Sequence, residues 1–450
     1  MKNNRPSSKH PLNYSQTLAL GFLCIILLGA VLLCLPIAAK DDQKTGFLNA
    51  LFTSVSATCV TGLSVFDTAT HWSAFGKTVI LLLIQIGGLG FMFVVSLFSM
   101  ISGKKMALHE RRLLAETTGS MRLSGVVRLL RNIAAGTFII EGCGALLFAI
   151  RFCPALGLGK GIAYAIFHSV SAFCNAGFDL TGYIAPSSSL LPYRNDPLIL
   201  LTSSALIILG GLGFFVWTDL LHCKHHFTKW KLHTKLVVVT SGILLLGGWL
   251  GFFFTEAHAA LAGEPLGIKL LGSFFQSVTA RTAGFDAIGQ GNLSEGGLLL
   301  TNCLMLIGGS PGSTAGGIKT TTIAILVLNI ISTVKKRSAV EVFHRRIEEE
   351  TVRQALAIIG TYICAIIVGS ILLCCADPIS SESAVYECIS AIATVGLTTG
   401  ITPTLSVFSK IVLMLMMFAG RIGGLSLLMV LSRKKQAAPL ECPTERILVG

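Results

Sequence analysis

The chain has 450 residues, of which 52% are apolar and only 13% are charged. An average soluble domain has about 25% charged residues, so these charges are too few to cover two or three soluble domains. The composition and the mean hydropathy of +0.75 exclude a disordered, fibrous or ordinary cytosolic protein and predict an integral membrane protein. The 13 cysteines are scattered without a C-x-x-C pair, so neither a zinc site nor a disulfide framework is expected.

Eight apolar stretches are long enough to cross a bilayer, which takes about 20 residues. In chain order the predicted spans are roughly Thr17–Ala39, Phe75–Ile101, Leu129–Phe152, Pro197–Leu221, Lys235–Thr255, Gly296–Thr333, Arg353–Ala376 and Ser406–Leu431. The first span has no cleavage-site pattern that would mark a signal peptide. The sixth is too long for one pass, and its Gly, Ser and Pro residues are expected to break it in the middle.

Positive charge alternates along the chain. The N-terminal tail, the connections after spans two, four and six, and the C-terminal tail together hold 24 of the 35 Lys and Arg residues. By the positive-inside rule these segments and both termini face the cytoplasm, so the net charge of +13 reports topology and nucleic-acid binding is not expected. Contact with an acidic cytosolic partner or with anionic lipids stays open. The cluster around His222, Lys224, His225 and His226 lies in such a loop without carboxylates and is interpreted as topology charge, not as a metal site.

Each connection on the opposite side carries a short apolar segment that ends in glycine. The cores of these segments read SVSA, SVSA, SVTA and CISA, and their glycines are 115, 107 and 112 residues apart, which indicates four internal repeats. The segments run from Phe52 to Gly62, Phe167 to Gly177, Phe275 to Gly284 and Tyr386 to Gly396. The repeats are expected to cover residues 1–103, 104–225, 226–337 and 338–450.

A segment this short cannot span the bilayer, so each is expected to enter the membrane, form a short helix and return. Irregular backbone at this depth is tolerated only inside protein or along a water-filled cavity. Because every repeat has two full spans, all four start on the same side, which predicts pseudo-fourfold symmetry about one axis. The glycines permit the backbone angles that turn carbonyls toward a cation, as in potassium-channel filters. The fourth segment, Thr394-Val395-Gly396-Leu397, comes close to the filter sequence TVGYG.

These residues resemble the Trk/Ktr/HKT superfamily of potassium transporters over nearly the whole chain, and the length is most similar to the bacterial Ktr-type membrane subunit. The resemblance implies an all-α integral membrane protein with four parallel membrane-helix/pore-loop/membrane-helix repeats around a central pseudo-fourfold pore. It implies that K⁺ binds filter carbonyls near the four segment glycines, and Gly62 implies potassium selectivity because some sodium-favouring plant relatives carry Ser there. The implied filter residues are Cys59, Val60, Thr61, Gly62, Cys174, Asn175, Ala176, Gly177, Arg281, Thr282, Ala283, Gly284, Ala393, Thr394, Val395 and Gly396. Three of the four segments depart from the strict channel sequence, which leaves the strictness of selectivity open.

The glycine-rich break in span six, residues 308–319, is interpreted as a gate. It lacks phosphate-loop spacing, since Ile318 separates Gly317 from Lys319, so nucleotide binding is not expected. A plain kink is the alternative. In the family this loop closes the pore, and an arginine at the position of Arg421 projects into the pore as an electrostatic barrier. The resemblance therefore assigns gating to Gly308, Gly309, Ser310, Gly312, Gly316, Gly317, Lys319 and Arg421.

Five further charged residues lie near these segments. Arg281 is expected to point behind the filter, because carbonyls face the ion. For Glu141, inside span three, a structural partner and a role in conduction both stay open. Asp67, Asp179 and Asp286 follow three of the filters, where they either concentrate cations at the mouth or cap their loops.

The expected function is that of the potassium-translocating subunit of an uptake system in the bacterial cytoplasmic membrane. Nothing resembles a catalytic constellation, so neither enzymatic activity nor an organic cofactor is expected. K⁺ is the substrate, and stimulation by Na⁺ stays open. The resemblance implies a homodimer, surrounded by membrane lipids, that docks a cytosolic ring of nucleotide-binding regulatory subunits of the RCK/KTN type.

Two other functions remain possible from the sequence. An ion-coupled secondary transporter of an organic solute usually has inverted repeats with broken helices in corresponding halves. Parallel repeats with only one broken span argue against that alternative. A non-transporting membrane scaffold would have no reason to keep four filter-like glycines.

Overall fold

The computed structural model describes residues 14–40, 45–90, 126–223, 226–337, 339–423 and 445. The described part is mostly helical. Its helices are α1 (Tyr14–Cys34), α2 (Phe47–Cys59), α3 (Thr68–His71), α4 (Ala74–Leu89), α5 (Val126–Leu156), α6 (Leu158–Phe173), α7 (Pro197–Leu212), α8 (Phe214–Cys223), α9 (Leu232–Glu256), α10 (Leu266–Thr279), α11 (Glu295–Leu306), α12 (Thr320–Val334), α13 (Glu349–Ala376), α14 (Ser381–Ile392) and α15 (Val407–Ile422). A two-residue antiparallel hairpin, β1 (Glu341–Val342) and β2 (Arg345–Arg346), is a small departure from the expected all-α fold.

The helices follow the same order four times. A long apolar helix (α1, α5, α9 or α13) is followed by a short helix (α2, α6, α10 or α14) and then by a second apolar helix (α4, α7, α11 or α15). The four long helices have the length and hydropathy of membrane spans. They expose Leu, Ile, Val and Phe side chains outward, which is expected where the solvent is lipid. The predicted helical membrane fold with repeated short helices is confirmed.

The second half of each short helix lies inside the protein. The aromatic residue that opens each repeated motif is buried (Phe52, Phe167, Phe275 and Tyr386), and so is nearly every residue after it up to the glycine. We call these helices the pore helices. Each is too short to span a membrane, so its polar ends must be satisfied by the protein around it.

One prediction about the spans was wrong. Span four was expected to be continuous, but α7 and α8 meet at Gly213 with a bend of 93°. Span six is broken as expected, between α11 and α12, so it is not the only broken span. Helices α4 and α15 end at the corresponding place, before Gly90 and Gly423, and the remainders of predicted spans two and eight lie outside the described residues.

The physical reason is a repeated glycine. Gly90, Gly213 and Gly423 have φ of 90°, 90° and 96°, backbone angles that ordinary L-residues avoid and that end a helix. In repeat three α11 already ends at Leu306, and Pro311 stands at the corresponding place inside the break. The second helices of repeats one, two and four therefore each stop directly before the same glycine of their repeat.

Candidate functional site: a four-segment ring and the loop beneath it

Hydroxyl side chains fix the pore helices to their neighbours. The first hydroxyl of each S-V-[ST]-A core donates a hydrogen bond to a carbonyl of the preceding long helix: Ser54 to Ile26 at 2.7 Å, Ser169 to Glu141 at 2.6 Å and Ser277 to Leu245 at 2.8 Å. Repeat four has Cys388 at this position. A polar bond is well suited here, because neither partner can turn to water.

The second hydroxyl of each core braces the segment that follows the pore helix. Ser56 and Ser390 accept hydrogen bonds from the amides of Gly62 and Gly396, at 3.1 and 3.0 Å. Ser171 and Thr279 instead donate to the carbonyls of Phe178 and Phe285, one residue after the glycine, at 2.6 and 2.7 Å. The S-V-[ST]-A signature thus has two structural tasks, one toward the long helix and one toward the segment that ends in glycine.

The backbone of the four segments has the same unusual conformation. Two residues before each glycine stands a residue with left-handed φ: Val60 (57°), Asn175 (59°), Thr282 (66°) and Thr394 (52°). The glycines Gly62, Gly177, Gly284 and Gly396 also have positive φ. Four non-glycine residues held in a sparsely populated region, at matched positions, require a surrounding structure that imposes it. The same strained conformation at four matched positions makes these segments the candidate functional site.

The four glycines form a closed ring. A side chain at Gly62 would meet the carbonyl oxygen of Ala176 at 2.6 Å, and one at Gly177 would meet that of Ala283 at 2.9 Å. Side chains at Gly284 and Gly396 would collide with the carbonyl oxygens of Val395 and Thr61. Each segment therefore contacts the next in the order one, two, three, four, one. The predicted filter residues of all four repeats come together around one axis.

A cavity of about 260 Å³, which we call the mouth, lies on one side of this ring. All four glycines line it, together with Asp67, Asp179 and Asp286. The carboxylates also cap turns: Asp67 accepts bonds from Thr70 and from the amide of Ser187, and Asp286 accepts from the amides of residues 288–290. Burial raises the pKa of Asp179 above its ordinary value, although bonds from Thr181 oppose this. Both sequence interpretations of these residues, capping and placement at the mouth, therefore apply.

A buried polar layer behind the ring was missed by the sequence analysis. The residue after the first aromatic of each pore-helix motif is polar and buried in all four repeats: Thr53, His168, Gln276 and Glu387. Three of them reach the loop after their own glycine. His168 accepts from the amide of Leu180, Gln276 exchanges two hydrogen bonds with Gln290, and Glu387 accepts from Thr398 and Thr402. A polar residue at one fixed position of four apolar motifs was the available signal.

This layer also joins two repeats. The Tyr386 hydroxyl donates to Oε1 of Gln290 at 2.9 Å, and Gln290 Nε2 donates to Asp286 at the mouth, also at 2.9 Å. A chain of hydrogen bonds therefore runs from the pore helix of repeat four to the mouth of repeat three.

The break between α11 and α12, which we call the intramembrane loop (308–319), lies on the other side of the ring from the mouth. Side chains built at Gly316 or Gly317 would meet Ala393 and Thr394 in the fourth segment. The loop also docks on repeat two. The amides of Ser310 and Thr314 donate to the carbonyls of Gly211 and Gly210, at 2.9 and 3.2 Å, and Phe214 donates back to the carbonyl of Gly312 at 2.9 Å. The bend at Gly213 leaves these carbonyl and amide groups without partners in their own helix. The broken helix of repeat two therefore provides the docking site, or seat, of the intramembrane loop.

Arg421 connects this loop to two other repeats. Its Nη1 donates to the carbonyl of Thr314 in the loop at 2.6 Å, and its Nη2 donates to the carbonyls of Gly87 and Gly88 at the end of α4. The last carbonyls of a helix lack partners within the helix and favour a positive charge. The guanidinium thus bridges repeats one, three and four beneath the ring.

Three other residues singled out in the sequence lie apart from this bridge. Lys319 folds back on its own loop, where Nζ donates to the carbonyl of Ala315 at 2.6 Å. Arg281 points behind the ring, with Nη2 3.5 Å from the Ser241 hydroxyl on α9. Glu141 accepts from Gln85 of repeat one at 3.1 Å, so this buried carboxylate has a partner between repeats.

Three of the four second helices share a signal that the sequence analysis also missed. The sequence Gly-Gly-Leu-Gly occurs twice, at 87–90 and 210–213, and repeat four has Gly420-Arg421-Ile422-Gly423. In each, a side chain at the first glycine would strike the carbonyl near the end of the pore helix, at Thr58, Phe173 and Ile392. The glycine at the fourth position of the motif ends the helix. Arg421 therefore stands where the other repeats have glycine, which is why its side chain reaches under the ring.

A membrane protein whose four pore helices surround one axis belongs to the channel-like class of cation transport proteins. The family profile described as "TrkH: Cation transport protein" matches residues 15–438, so the chain belongs to this family. The potassium/sodium uptake protein NtpJ of Enterococcus hirae is 39% identical over 442 residues, 97% of each chain. The Ktr system potassium uptake protein B of Bacillus subtilis is 38% identical over 424 residues, 94% of each. The resemblance inferred from the sequence is confirmed.

The fold has a solved counterpart. The crystal structure of the potassium transporter TrkH from Vibrio parahaemolyticus matches 94% of this chain and 86% of its own, with a TM-score of 0.71 and 20% identity. At that identity the likeness concerns the fold.

Proposed function

We propose that the chain is the potassium-translocating subunit of a bacterial K⁺ uptake system. The observation that carries this proposal is the closed ring of four segments, each with a left-handed residue followed two positions later by a positive-φ glycine. Relatives named for potassium uptake match almost the full chain, which supports a potassium pathway over transport of an organic solute. The four repeats would correspond to residues 1–103, 104–225, 226–337 and 338–450.

In this proposal the ring is the selectivity filter. Backbone carbonyls of residues 59–62, 174–177, 281–284 and 393–396 replace the hydration shell of K⁺. The carboxylates at the mouth raise the local cation concentration. The intramembrane loop and Arg421 form the gate on the far side, where the loop obstructs passage and the guanidinium repels a cation. Opening then requires the loop to leave its seat on α7 and α8 and Arg421 to release Thr314.

The mouth would face the exterior and both termini the cytoplasm of a bacterial cytoplasmic membrane. The concentration of Lys and Arg residues in the two tails and in every second connection between spans supports this orientation. Uptake of K⁺ would then be driven by voltage and ion gradients, with no enzymatic step and no organic cofactor. One relative is named for both potassium and sodium, and Na⁺ would accordingly act as a second transported or stimulating ion.

The proposed assembly is a homodimer that docks a cytosolic ring of RCK/KTN-type regulatory subunits. Relatives named as parts of Ktr systems support a multisubunit assembly. The hairpin of β1 and β2 and the loop at 226–231 offer exposed Lys and Arg side chains near one another, joined by the packing of Phe227 on Phe343. Such a surface suits an acidic partner.

The test is K⁺ uptake in a bacterial strain that lacks its own potassium transporters, with the regulatory subunit co-expressed. Growth at low K⁺ is expected for the unaltered chain. Gly62→Ser should weaken the apparent affinity for K⁺ and its preference over Na⁺, because the side chain would crowd the carbonyl of Ala176 in a backbone region that serine avoids. The matched control is Gly360→Ser on α13, where an added side chain meets open space.

Equal affinity and ion preference in Gly62→Ser, Gly360→Ser and the unaltered chain would contradict the filter assignment. Failure of the unaltered chain to transport K⁺ in any combination would contradict the proposed substrate.

A further inference from the structure

A second cavity, of about 310 Å³, lies behind the ring between repeats two and three. Its walls come from α7 and α8 on one side and from α9 and α10 on the other, and most are Ile, Leu and Val side chains. Three polar side chains also line it: Asn175, Ser241 and Arg281. We call this space the lateral cavity. Gly309 of the intramembrane loop also lines it.

Arg281 brings an unneutralised charge to the lateral cavity. No carboxylate of the described residues forms an ion pair with it. Among the described residues its guanidinium has one side-chain hydrogen bond, the long approach of 3.5 Å to Ser241, and its buried Nε has no hydrogen-bond partner there. A charge within a membrane protein is costly unless it is paired or faces water. The guanidinium therefore has unused binding capacity for an anion.

Asn175 gives an independent observation. This residue is only 1% exposed, and its Oδ1 also has no hydrogen-bond partner among the described residues. Asn175 belongs to the second segment of the ring and Arg281 to the third, so the two unsatisfied groups come from neighbouring segments. A buried polar group without a partner costs free energy. A ligand that brings an anionic group to Arg281 and a hydroxyl donor to Oδ1 of Asn175 could satisfy both.

The walls of the lateral cavity narrow the choice of ligand. Water would hydrate Asn175 but would leave the charge of Arg281 unneutralised among apolar walls. The cavity extends to Leu220 and Trp230, next to the basic end of α9, and α9 carries exposed apolar residues such as Ile243, which is 66% exposed. A ligand with one anionic end and an apolar body fits a site with these walls. Basic pockets between membrane helices bind anionic lipid head groups.

We propose that the lateral cavity binds one anionic phospholipid, with its phosphate at Arg281, a head-group hydroxyl that donates to Oδ1 of Asn175, and an acyl chain along the apolar walls. The lipid would fill the space behind two adjoining ring segments and neutralise the charge closest to them. Bound lipid therefore braces the ring between repeats two and three. The bilayer's content of anionic lipid becomes a condition for stable conduction.

Native mass spectrometry of the purified full-length chain tests this directly, with phosphatidylglycerol and phosphatidylcholine of identical acyl chains as probes. The unaltered chain should retain phosphatidylglycerol in preference to phosphatidylcholine. Arg281→Gln should weaken retention of phosphatidylglycerol by roughly tenfold or more, the usual effect of losing a hydrogen bond to a charged group. Arg281→Lys, which keeps the charge, should lose less.

A second variant tests the need for the cavity's free volume separately from the need for the charge of Arg281. Gly242 lines the lateral cavity on α9, and a side chain there would meet nothing within 4 Å. Gly242→Leu should fill the cavity, keep Arg281 and still abolish the preference for phosphatidylglycerol. Arg151→Gln is the matched control, because Arg151 is half exposed and paired with Asp196 at another site. It should retain phosphatidylglycerol like the unaltered chain.

Three results would overturn the proposal. Retention of phosphatidylglycerol by Arg281→Gln would show that the charge is not used. Full retention by Gly242→Leu would place the lipid elsewhere. Inorganic phosphate that displaces the phosphatidylglycerol at equal affinity would indicate a small-anion site without an acyl-chain pocket.

Discussion

At the residue scale, Glu387 is the clearest example of a role that the sequence did not predict. Its side chain is wholly buried, yet it accepts hydrogen bonds from Thr398 and Thr402 in the loop that follows Gly396. Hydrogen bonds to a charged group contribute about 1.5–3 kcal/mol each. The carboxylate therefore holds the fourth segment from behind and does not contact the proposed ion path directly.

Replacing Glu387 tests this positioning role. Glu387→Ala should reduce discrimination between K⁺ and Na⁺ in uptake assays, because the loop after Gly396 loses both anchors. Glu387→Gln, which can still bond both threonines in part, should keep more of the discrimination. Glu382→Ala, at an exposed position of the same helix, is the control. Equal ion preference in Glu387→Ala and the control would contradict the role.

Asp179 gives a prediction about pH. Because burial raises the pKa of this carboxyl, it gains a proton at a higher pH than an ordinary aspartate when the mouth is acidified. The mouth then loses negative charge, so K⁺ uptake at limiting K⁺ should fall on acidification. Asp179→Asn should have a lower rate with a flatter pH profile, whereas Asp196→Asn should keep the profile of the unaltered chain. An unchanged profile in Asp179→Asn would contradict this.

At the scale of elements, the intramembrane loop rests on contacts from three directions. Repeat two supplies the seat at the bend of α7 and α8, repeat four supplies Arg421, and the fourth ring segment lies above. Arg421→Gln shortens the side chain and removes its charge, so the loop loses its link to α4. We expect a several-fold increase in K⁺ flux and a greater Na⁺ leak in reconstituted vesicles. Arg194→Gln, in an ion pair away from the loop, is the control. Unchanged flux in Arg421→Gln would contradict a gating role.

The bend at Gly213 has its own test. Gly213→Ala places a side chain at a φ of 90° and against the carbonyl of Pro311, 2.8 Å away. Left-handed conformations cost a non-glycine residue about 1–2 kcal/mol, so the variant should have a lower Tm and a displaced loop. Gly247→Ala on α9 meets open space and should keep its Tm. Equal Tm values would mean that the bend does not depend on glycine.

The sequence allowed the repeats, the pore helices and the four glycines to be located because these features recur at matched positions. It did not allow the second broken helix to be located, since α7 and α8 read as one continuous apolar run. Gly213 permits the bend, and the loop of repeat three, distant in sequence, supplies the carbonyl of Gly312 that accepts from the amide of Phe214 there. The polar layer of Glu387 and Gln276 was missed for a similar reason, because its partners are set by tertiary contacts.

At the scale of the whole molecule, the proposed function requires that four segments from one chain make a single ring that binds K⁺. The ring closes because each glycine contacts the next segment, and the fourth contacts the first. No single repeat could bind a dehydrated cation by itself. The pathway is therefore a property of the complete chain, in which every segment is needed.

The most direct measurement is the position of Tl⁺, a heavy substitute for K⁺, in crystals of the full-length chain by anomalous scattering. If the ring binds K⁺, Tl⁺ peaks should lie on the axis between Gly62, Gly177, Gly284 and Gly396 and should weaken when K⁺ is added in excess. Peaks elsewhere in the membrane-spanning part, with none inside the ring, would contradict K⁺ binding by the ring.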